Sequence, residues 1–437
     1  MYNNKILTSE RLQFIIKYTK YFSISSHLIK KLIKDENVKL LDVIFSHLKF
    51  YDNDFILQLL FRYKNKTAIS SLNLKRQISN EKFNISINTN SSYNYIYKYI
   101  INEFYKKDIN IYVIKYLIEH GTNINKTNYG ESPLFYACSS GNETVVKYLV
   151  KHGANIHIIN KNGKTPLHLA CRSGYEVVTK YLVEHGADIN KADENGETPL
   201  FNACSSGKEA VVKYLVEQGA DINKENKYKE TAFSKVCKNG NESIVRYLIE
   251  QGADINKINE YGETPLFEAC KNGNESIVRY LIEQGVDINK INEYGETPLF
   301  KACRNGNKTI IKYLVEHGVD INKTSINDDT ALIIACSSRN ETIVKYFVEH
   351  GANINKANKY GETPLIIACE SGNEVIVKYL VEHGAYLNIE NIYDKTPLTI
   401  ACSKGNEILL KYLIKHGADI NKANKDGETS LFLCMRK

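Results

Sequence analysis

Cysteine and histidine are the residues of this chain with the most distinctive chemistry, because both bind metals and cysteine also forms disulfides. The chain has 437 residues, of which 10 are Cys and 11 are His. Nine of the cysteines recur at intervals of 33 residues: Cys138, Cys171, Cys204, Cys237, Cys270, Cys303, Cys336, Cys369 and Cys402. Equivalent residues of neighbouring helices lie ~8–10 Å apart, beyond the ~7 Å Cα separation that a disulfide spans. The spacing therefore predicts small buried thiols in a reducing compartment instead of a disulfide framework.

The histidines follow the same period, and seven of them precede a glycine: His120, His152, His185, His317, His350, His383 and His416. One histidine per repeating unit cannot supply the four ligands of a zinc site. We expect these side chains to interact with the last carbonyls of helices. The sequence also contains no paired nucleophile and base, paired carboxylates or phosphate loop, so it predicts no catalytic, metal or cofactor site.

The element that positions these residues is a 33-residue unit, most regular at Asn160–Ala192. Thr165 is a good helix N-cap, and Pro166 suits the first helical position because its missing N–H is not needed there. Gly174 can end this short helix in the left-handed conformation. A second helix is predicted up to about His185, and the following Asn-, Asp- and Gly-rich stretch predicts a turn or short hairpin.

The unit recurs without slippage, since its Thr (once Ser) falls at Ser132, Thr165, Thr198, Thr231, Thr264, Thr297, Thr330, Thr363, Thr396 and Thr429. A fixed period of this size indicates stacked supersecondary units that bury one another's apolar faces. The unit resembles the ankyrin repeat in its TPLHLA motif at Thr165–Ala170 and its GADIN motif at Gly186–Asn190. This resemblance implies a mainly α solenoid, with a helix–turn–helix and a β-hairpin finger in each unit.

The chain divides into three predicted regions. Residues 1–78 contain short hydrophobic clusters that predict a small helical N-terminal segment, and residues 79–92 form an Asn/Ser-rich linker. Residues 93–437 form the repeat array, with a degenerate first unit, nine full units and a truncated last unit. The units at Thr231 and Thr330 lack the proline and carry Lys229 and Asp328 in place of the turn glycine, so they are candidates for a local irregularity.

Positive charge is concentrated in the N-terminal part of the chain. Residues 1–92 contain 15 Lys and Arg against 7 Asp and Glu, whereas the remaining chain contains 42 against 43. This excess favours either a solvated helical surface or association with a polyanion, namely nucleic acid or an anionic membrane surface. No signal peptide or apolar span is visible, so we expect an intracellular, cytoplasmic protein, with the nucleus as the alternative. We also expect a monomer.

Two sets of repeat positions are candidates for binding. The first is the finger tip, just before the turn glycine or its substitute, where tyrosines fall in register: Tyr129, Tyr228, Tyr261, Tyr294, Tyr360 and Tyr393. Tyrosine offers large amphipathic contact area and is enriched at recognition surfaces. An equally good alternative is that each ring packs on the neighbouring finger.

The second set is the outward face of the first helix. In the middle units it carries charged residues: Lys235, Lys238, Glu268, Lys271, Lys301 and Arg304. In the last full units it carries Ile334, Ile367 and Ile400, which either form an exposed apolar patch or pack under the fingers. The ankyrin resemblance implies that finger tips and this face line a concave groove that binds a protein partner. A non-catalytic interaction scaffold is therefore expected, with polyanion binding through residues 1–92 or a mechanical spacer as alternatives.

Overall fold

The computed structural model describes Thr8, Glu10, Leu40 and residues 123–127, 130–422, 427 and 429. Its contacts divide the chain into two compact units, Met1–Tyr95 and Ile96–Lys437. The predicted N-terminal segment, the linker, most of the degenerate first repeat and the last repeat lie largely outside the described residues. The predicted boundaries of these regions therefore stay predictions.

Residues 130–422 form nine successive helix pairs. The first helices are α1 Pro133–Ser140, α3 Pro166–Ser173, α5 Pro199–Ser205, α7 Ala232–Asn239, α9 Pro265–Asn272, α11 Pro298–Asn305, α13 Ala331–Ser337, α15 Pro364–Ser371 and α17 Pro397–Lys404. The second helices are α2 Glu143–Lys151, α4 Glu176–Glu184, α6 Glu209–Glu217, α8 Glu242–Glu250, α10 Glu275–Glu283, α12 Lys308–Glu316, α14 Glu341–Glu349, α16 Glu374–Glu382 and α18 Glu407–Lys415.

The helix ends follow the sequence signals. Thr165 has extended backbone torsions, Pro166 opens α3, and Gly174 ends the helix with a φ of 81°. The two units without proline still form α7 and α13 in the same place, so the predicted first helices are confirmed at both irregular units. Lys229 and Asp328 adopt φ values of 55° and 59°, which is the conformation that the turn glycine adopts elsewhere.

Each helix packs against its partner in the pair and against the equivalent helix of the next pair. Leu167, Ala170 and Cys171 of α3 are fully buried, as predicted, and so is Leu182 of α4. The same positions are buried in the other units, so the apolar core runs through the stack as one continuous layer. None of the helices in the described part of the chain is long and apolar enough to cross a membrane.

The fingers are turns stabilised by a side chain and not β-hairpins with strands. At one tip, the Asn226 Oδ1 accepts hydrogen bonds from the N–H groups of Tyr228 and Glu230, both at 2.9 Å. In the described fingers the β-structure is limited to isolated bridges, such as Glu225 with Thr231. The turn that the sequence offered as an alternative to a hairpin is therefore the conformation observed.

An asparagine ladder links the units at the base of the fingers. The Asn190 Nδ2 donates to the Gly219 carbonyl at 3.3 Å, and the N–H of Asp221 donates to the Asn190 Oδ1 at 2.8 Å. The same pair of bonds to the next unit is made by Asn125, Asn223, Asn289, Asn322 and Asn355. Each amide thus satisfies one backbone acceptor and one backbone donor that helix pairs alone leave unpaired.

Candidate functional site at the finger tips and the first-helix face

The tip tyrosines project from the fingers, with their backbone fixed and their rings in solvent. Five of these residues are between 42% and 60% exposed: Tyr228, Tyr261, Tyr294, Tyr360 and Tyr393. Tyr129 lies outside the described residues. The exposed rings form a row that repeats with the solenoid.

Neighbouring tips are joined through the backbone. The N–H of Glu260 donates to the Tyr228 carbonyl at 2.9 Å, and the N–H of Glu293 donates to the Tyr261 carbonyl at 2.9 Å. The rings of Tyr261 and Tyr294 lie 6.5 Å apart between centroids, within the range of an aromatic pair. The two rings therefore contact each other across neighbouring fingers, while nearly half of each tyrosine residue remains exposed. Exposure at the tip and packing on the neighbouring finger, the two alternatives for these tyrosines, both occur in this pair.

Four charged side chains of the middle units form an internal network. The Lys301 Nζ lies 2.8 Å from Glu263 and 3.3 Å from Glu296, and both carboxylates are more than nine-tenths buried. Arg304 holds Glu296 through both terminal nitrogens of its guanidinium. Burial by itself raises the pKa of Glu296, but the hydrogen bonds and charges of Arg304 and Lys301 outweigh burial, and the pKa lies below its ordinary value.

A similar pair occupies the preceding part of this face. Lys235 contacts Glu230 at 2.6 Å, and each side chain is only 20% exposed. Lys235 and Lys301 therefore hold carboxylates inside the protein, whereas Lys238 and Lys271 are exposed. Glu268 is half-buried and accepts a hydrogen bond from the side chain of Asn272. The six charged candidates thus separate into a structural group and an exposed group.

The apolar candidates of the last full units are not an exposed patch. Ile334 and Ile367 are half-buried, and Ile400 is only 2% exposed. The prediction of an exposed apolar patch is wrong at Ile400, because its side chain packs within the stack. The alternative prediction, packing beneath the fingers, accounts better for these three residues.

The second helices carry a lysine–tyrosine ladder that the sequence reasoning missed. Lys147 lies over the ring of Tyr181 in the next unit at 5.6 Å, and Arg246 lies over the ring of Tyr280 at 4.0 Å. Eight such contacts join successive units. The signal was available, since a basic residue precedes tyrosine in every second helix. These contacts stabilise the outer face, where cation–π pairs contribute ~0.5–1 kcal/mol each.

The histidines cap helices, as predicted. The Nδ1 of His185 donates to the Tyr181 carbonyl at 2.7 Å, while the two rings lie 3.9 Å apart between centroids at a tilt of 34°. Equivalent bonds are made by His152, His317, His350, His383 and His416, and His120 lies outside the described residues. The described residues contain no group of three or more His, Cys, Asp or Glu arranged to hold a metal.

Eight repeat cysteines, from Cys138 to Cys369, are free and buried, as predicted. Burial raises the pKa of these thiols, for example that of Cys171 to about 12, which makes them poor nucleophiles. Cys402 is different because it is disulfide-bonded, and its partner lies outside the described residues. The prediction of free repeat cysteines is therefore wrong at this position. The argument from helix spacing applies between equivalent positions and says nothing about a differently placed cysteine.

A protein-family model agrees with this architecture. A family model described as ankyrin repeats (3 copies) matches residues 74–160, 152–226, 233–325, 321–391 and 386–437. One similar solved structure is the crystal structure of the human ASB11 ankyrin repeat domain. It is 27% identical, covers 51% of this chain and 99% of that chain, and has a TM-score of 0.47. A search of curated proteins gave no match. The matched residues include every described helix pair, and the chain therefore belongs to the ankyrin repeat family.

Proposed function

We propose that this protein is a non-catalytic interaction scaffold that binds a protein partner through its finger tips and first-helix face. Ankyrin repeats are in general protein–protein interaction modules. The observation that carries the proposal is the row of tip tyrosines, whose backbones are fixed by hydrogen bonds while their rings remain 42–60% exposed. Rigid exposed aromatic rings provide contact area with little loss of conformational entropy on binding.

The test is affinity capture from cell extract with the full chain, followed by mass spectrometry. One variant carries Tyr228→Ser, Tyr261→Ser and Tyr294→Ser. The control carries Val177→Ser, Val375→Ser and Ile408→Ser, which removes exposed apolar side chains from the second helices. Ser243 and Ser276 occupy this control position in other units, so serine is tolerated there.

A protein that is retained by the parent and the control but lost by the tip variant supports the proposal. Capture of the same proteins by all three chains contradicts it and favours the spacer alternative or residues 1–92. Circular dichroism establishes beforehand that all three chains have the same helix content. Lys301 and Arg304 are left unchanged in these variants, because they hold buried carboxylates.

A further inference from the structure

Three consecutive units combine an exposed tip tyrosine with an exposed cation on the first helix. These pairs are Tyr228 with Lys238, Tyr261 with Lys271, and Tyr294 with Arg304, and we name them the Tyr–cation strip. The preceding unit has Asn195 and Ser205 at these positions, and the following unit has Asn327 and Ser337. The strip is therefore a property of three units and not of the repeat.

The lysines of the strip form no direct ion pair within the described residues, although the charge of Lys238 acts on Glu230. Neither Lys238 nor Lys271 forms an ion pair there. Glu230, the carboxylate on which the charge of Lys238 acts, is already bound by Lys235 at 2.6 Å and by Asn226 at 2.9 Å. Arg304 binds Glu296 and still exposes 45% of its side chain to solvent. The helix row of the strip thus presents positive charge outward.

Carboxylates near the strip lie mainly on the finger side. Glu260 and Glu293 immediately precede the tip residues Tyr261 and Tyr294, and half-buried Glu268 lies on the same helix as Lys271. None of these three carboxylates forms an ion pair with a strip cation in the described structure. Positive charge on the helix row and negative charge at the tips favour a partner that places acidic groups over the helices and apolar groups over the rings.

Lys229 lies beside the first tip tyrosine of the strip and has an unusual backbone conformation. Lys229 has a φ of 55°, where the equivalent residues of the adjacent units are Gly196 and Gly262. A non-glycine residue is strained in this conformation, which Asp328, Arg339 and Asp394 also adopt outside the strip. Lys229 is exposed and adds a cation beside Tyr228.

The spacing of the strip selects the conformation of its ligand. Neighbouring first helices pack against one another, so the backbone positions that carry equivalent cations are expected to lie ~8–10 Å apart. A polyproline II segment has three residues per turn and rises ~3.1 Å per residue, which places every third side chain on one face at ~9 Å intervals. We propose that the strip binds a polyproline II segment of a partner protein with an acidic residue at every third position. This inference rests on the proposed function, because it specifies the partner of the same surface.

The probe is a fluorescein-labelled peptide of Glu-Pro-Leu triplets, titrated with the full chain by fluorescence anisotropy at physiological salt. The test variant is Lys238→Ser with Lys271→Ser, which introduces the serines of the flanking units. The control, Lys224→Ser with Lys290→Ser, removes the same charge from exposed positions at the finger bases. We expect the test variant to lose about tenfold or more in affinity, as for two charged contacts, and the control to bind like the parent.

Equal losses of peptide affinity in the test variant and the control would overturn the proposal, because they indicate non-specific attraction between the peptide and positive charge. Equal affinity for a peptide of the same composition with its glutamates adjacent would overturn it as well. Tighter binding of labelled single-stranded DNA that depends on the same lysines would identify a nucleic-acid ligand instead. Absence of peptide binding, with capture still lost in the tip variant, refutes this inference and leaves the proposed function intact.

Lys229→Gly separates a binding role from a structural one. The substitution relieves the positive φ and is expected to raise the unfolding temperature, while the lost charge lowers the affinity for the peptide. A rise in unfolding temperature with unchanged affinity contradicts the part assigned to Lys229. Asp394→Gly, which relieves a φ of 58° outside the strip, is the matched control and leaves peptide affinity unchanged.

Discussion

His168 is fully buried at a position where other units have Phe, Ile, Ser or Thr. The N–H of Thr165 donates to its Nδ1 at 3.0 Å, and its Nε2 donates to the Glu197 carbonyl at 3.1 Å. This arrangement fits only the neutral ring, because the Nδ1 acts as an acceptor. Burial is the main cause that lowers the pKa of His168 to about 4.

The stability of the array is therefore expected to depend on pH through His168. In the unfolded chain a histidine has a pKa of about 6.5, so between that value and the folded pKa the unfolded state binds the proton more readily. Stability is full above pH ~6.5 and falls with decreasing pH, by about 2 kcal/mol at pH ~5. Urea unfolding of the parent at several pH values measures this loss. His168→Phe, the residue of several sibling units, should remove this part of the pH dependence, and an unchanged pH profile contradicts the assignment.

Lys164 and Asp193 form a largely buried ion pair at a contact where another unit uses an amide and a carboxylate. The Lys164 Nζ lies 3.5 Å from an Asp193 carboxylate that has no exposed side-chain area. At the equivalent positions of the preceding unit, the Asn160 Nδ2 donates to Glu131 at 3.2 Å. The chain thus uses two different residue pairs at equivalent inter-unit contacts.

Lys164→Glu alone is expected to destabilise the array by ~3–5 kcal/mol, because it leaves a buried carboxylate facing a second one. Adding Asp193→Asn reproduces the Glu131–Asn160 pair and should restore most of the stability. Chemical denaturation of the parent, the single variant and the double variant measures the coupling. If the double variant is no more stable than Lys164→Glu, the contact between positions 164 and 193 does not account for the loss of stability in the single variant.

At the scale of helices, the first-helix face illustrates how far the sequence predicts the site. The ends of α3 were predictable because Thr165, Pro166 and Gly174 act locally. The ion pair of Lys301 was not predictable, because Glu263 lies in the preceding finger and becomes a neighbour of Lys301 only when the units stack. Ile400 looked like an exposed residue because helical periodicity gives the direction of a side chain but not what covers it.

Charge reversal at two lysines of this face should change the stability of the protein by very different amounts. Lys301→Glu is expected to destabilise the protein by ~3–5 kcal/mol, because Glu263 and Glu296 then lose their shared cation in a buried setting. Lys271→Glu, on the preceding unit and exposed, should change stability by less than ~0.5 kcal/mol. Thermal unfolding followed by circular dichroism compares the two, and equal effects would contradict the structural role of Lys301.

At the scale of the whole molecule, neighbouring units are nearly interchangeable. Gly240–Asn272 and Gly273–Asn305 differ only at Ala253/Val286, Glu268/Lys301 and Lys271/Arg304. Their backbones make the same inter-unit hydrogen bonds at the finger tips. Since each unit contacts only its neighbours, stability is approximately a sum over units and interfaces.

Deletion of Gly240–Asn272 should therefore give a folded protein with the same helix content per residue. Its urea m-value is expected to fall by about a tenth, in proportion to the buried surface removed. Deletion of Gly240–Glu250 alone removes α8 and leaves its finger, so this control should fail to fold cooperatively. If the variant that lacks Gly240–Asn272 also fails to fold cooperatively, the additive description is contradicted.

The asparagine ladder also has a consequence for the chemical lifetime of the protein. Hydrolysis of the Asn190 amide would replace its nitrogen with oxygen, and the lost donor would leave an anion against the Gly219 carbonyl. Asparagine is among the residues that degrade first at high temperature. Where such ageing reaches the ladder, it should loosen the bases of the fingers one layer at a time, while the apolar core between the helices stays intact.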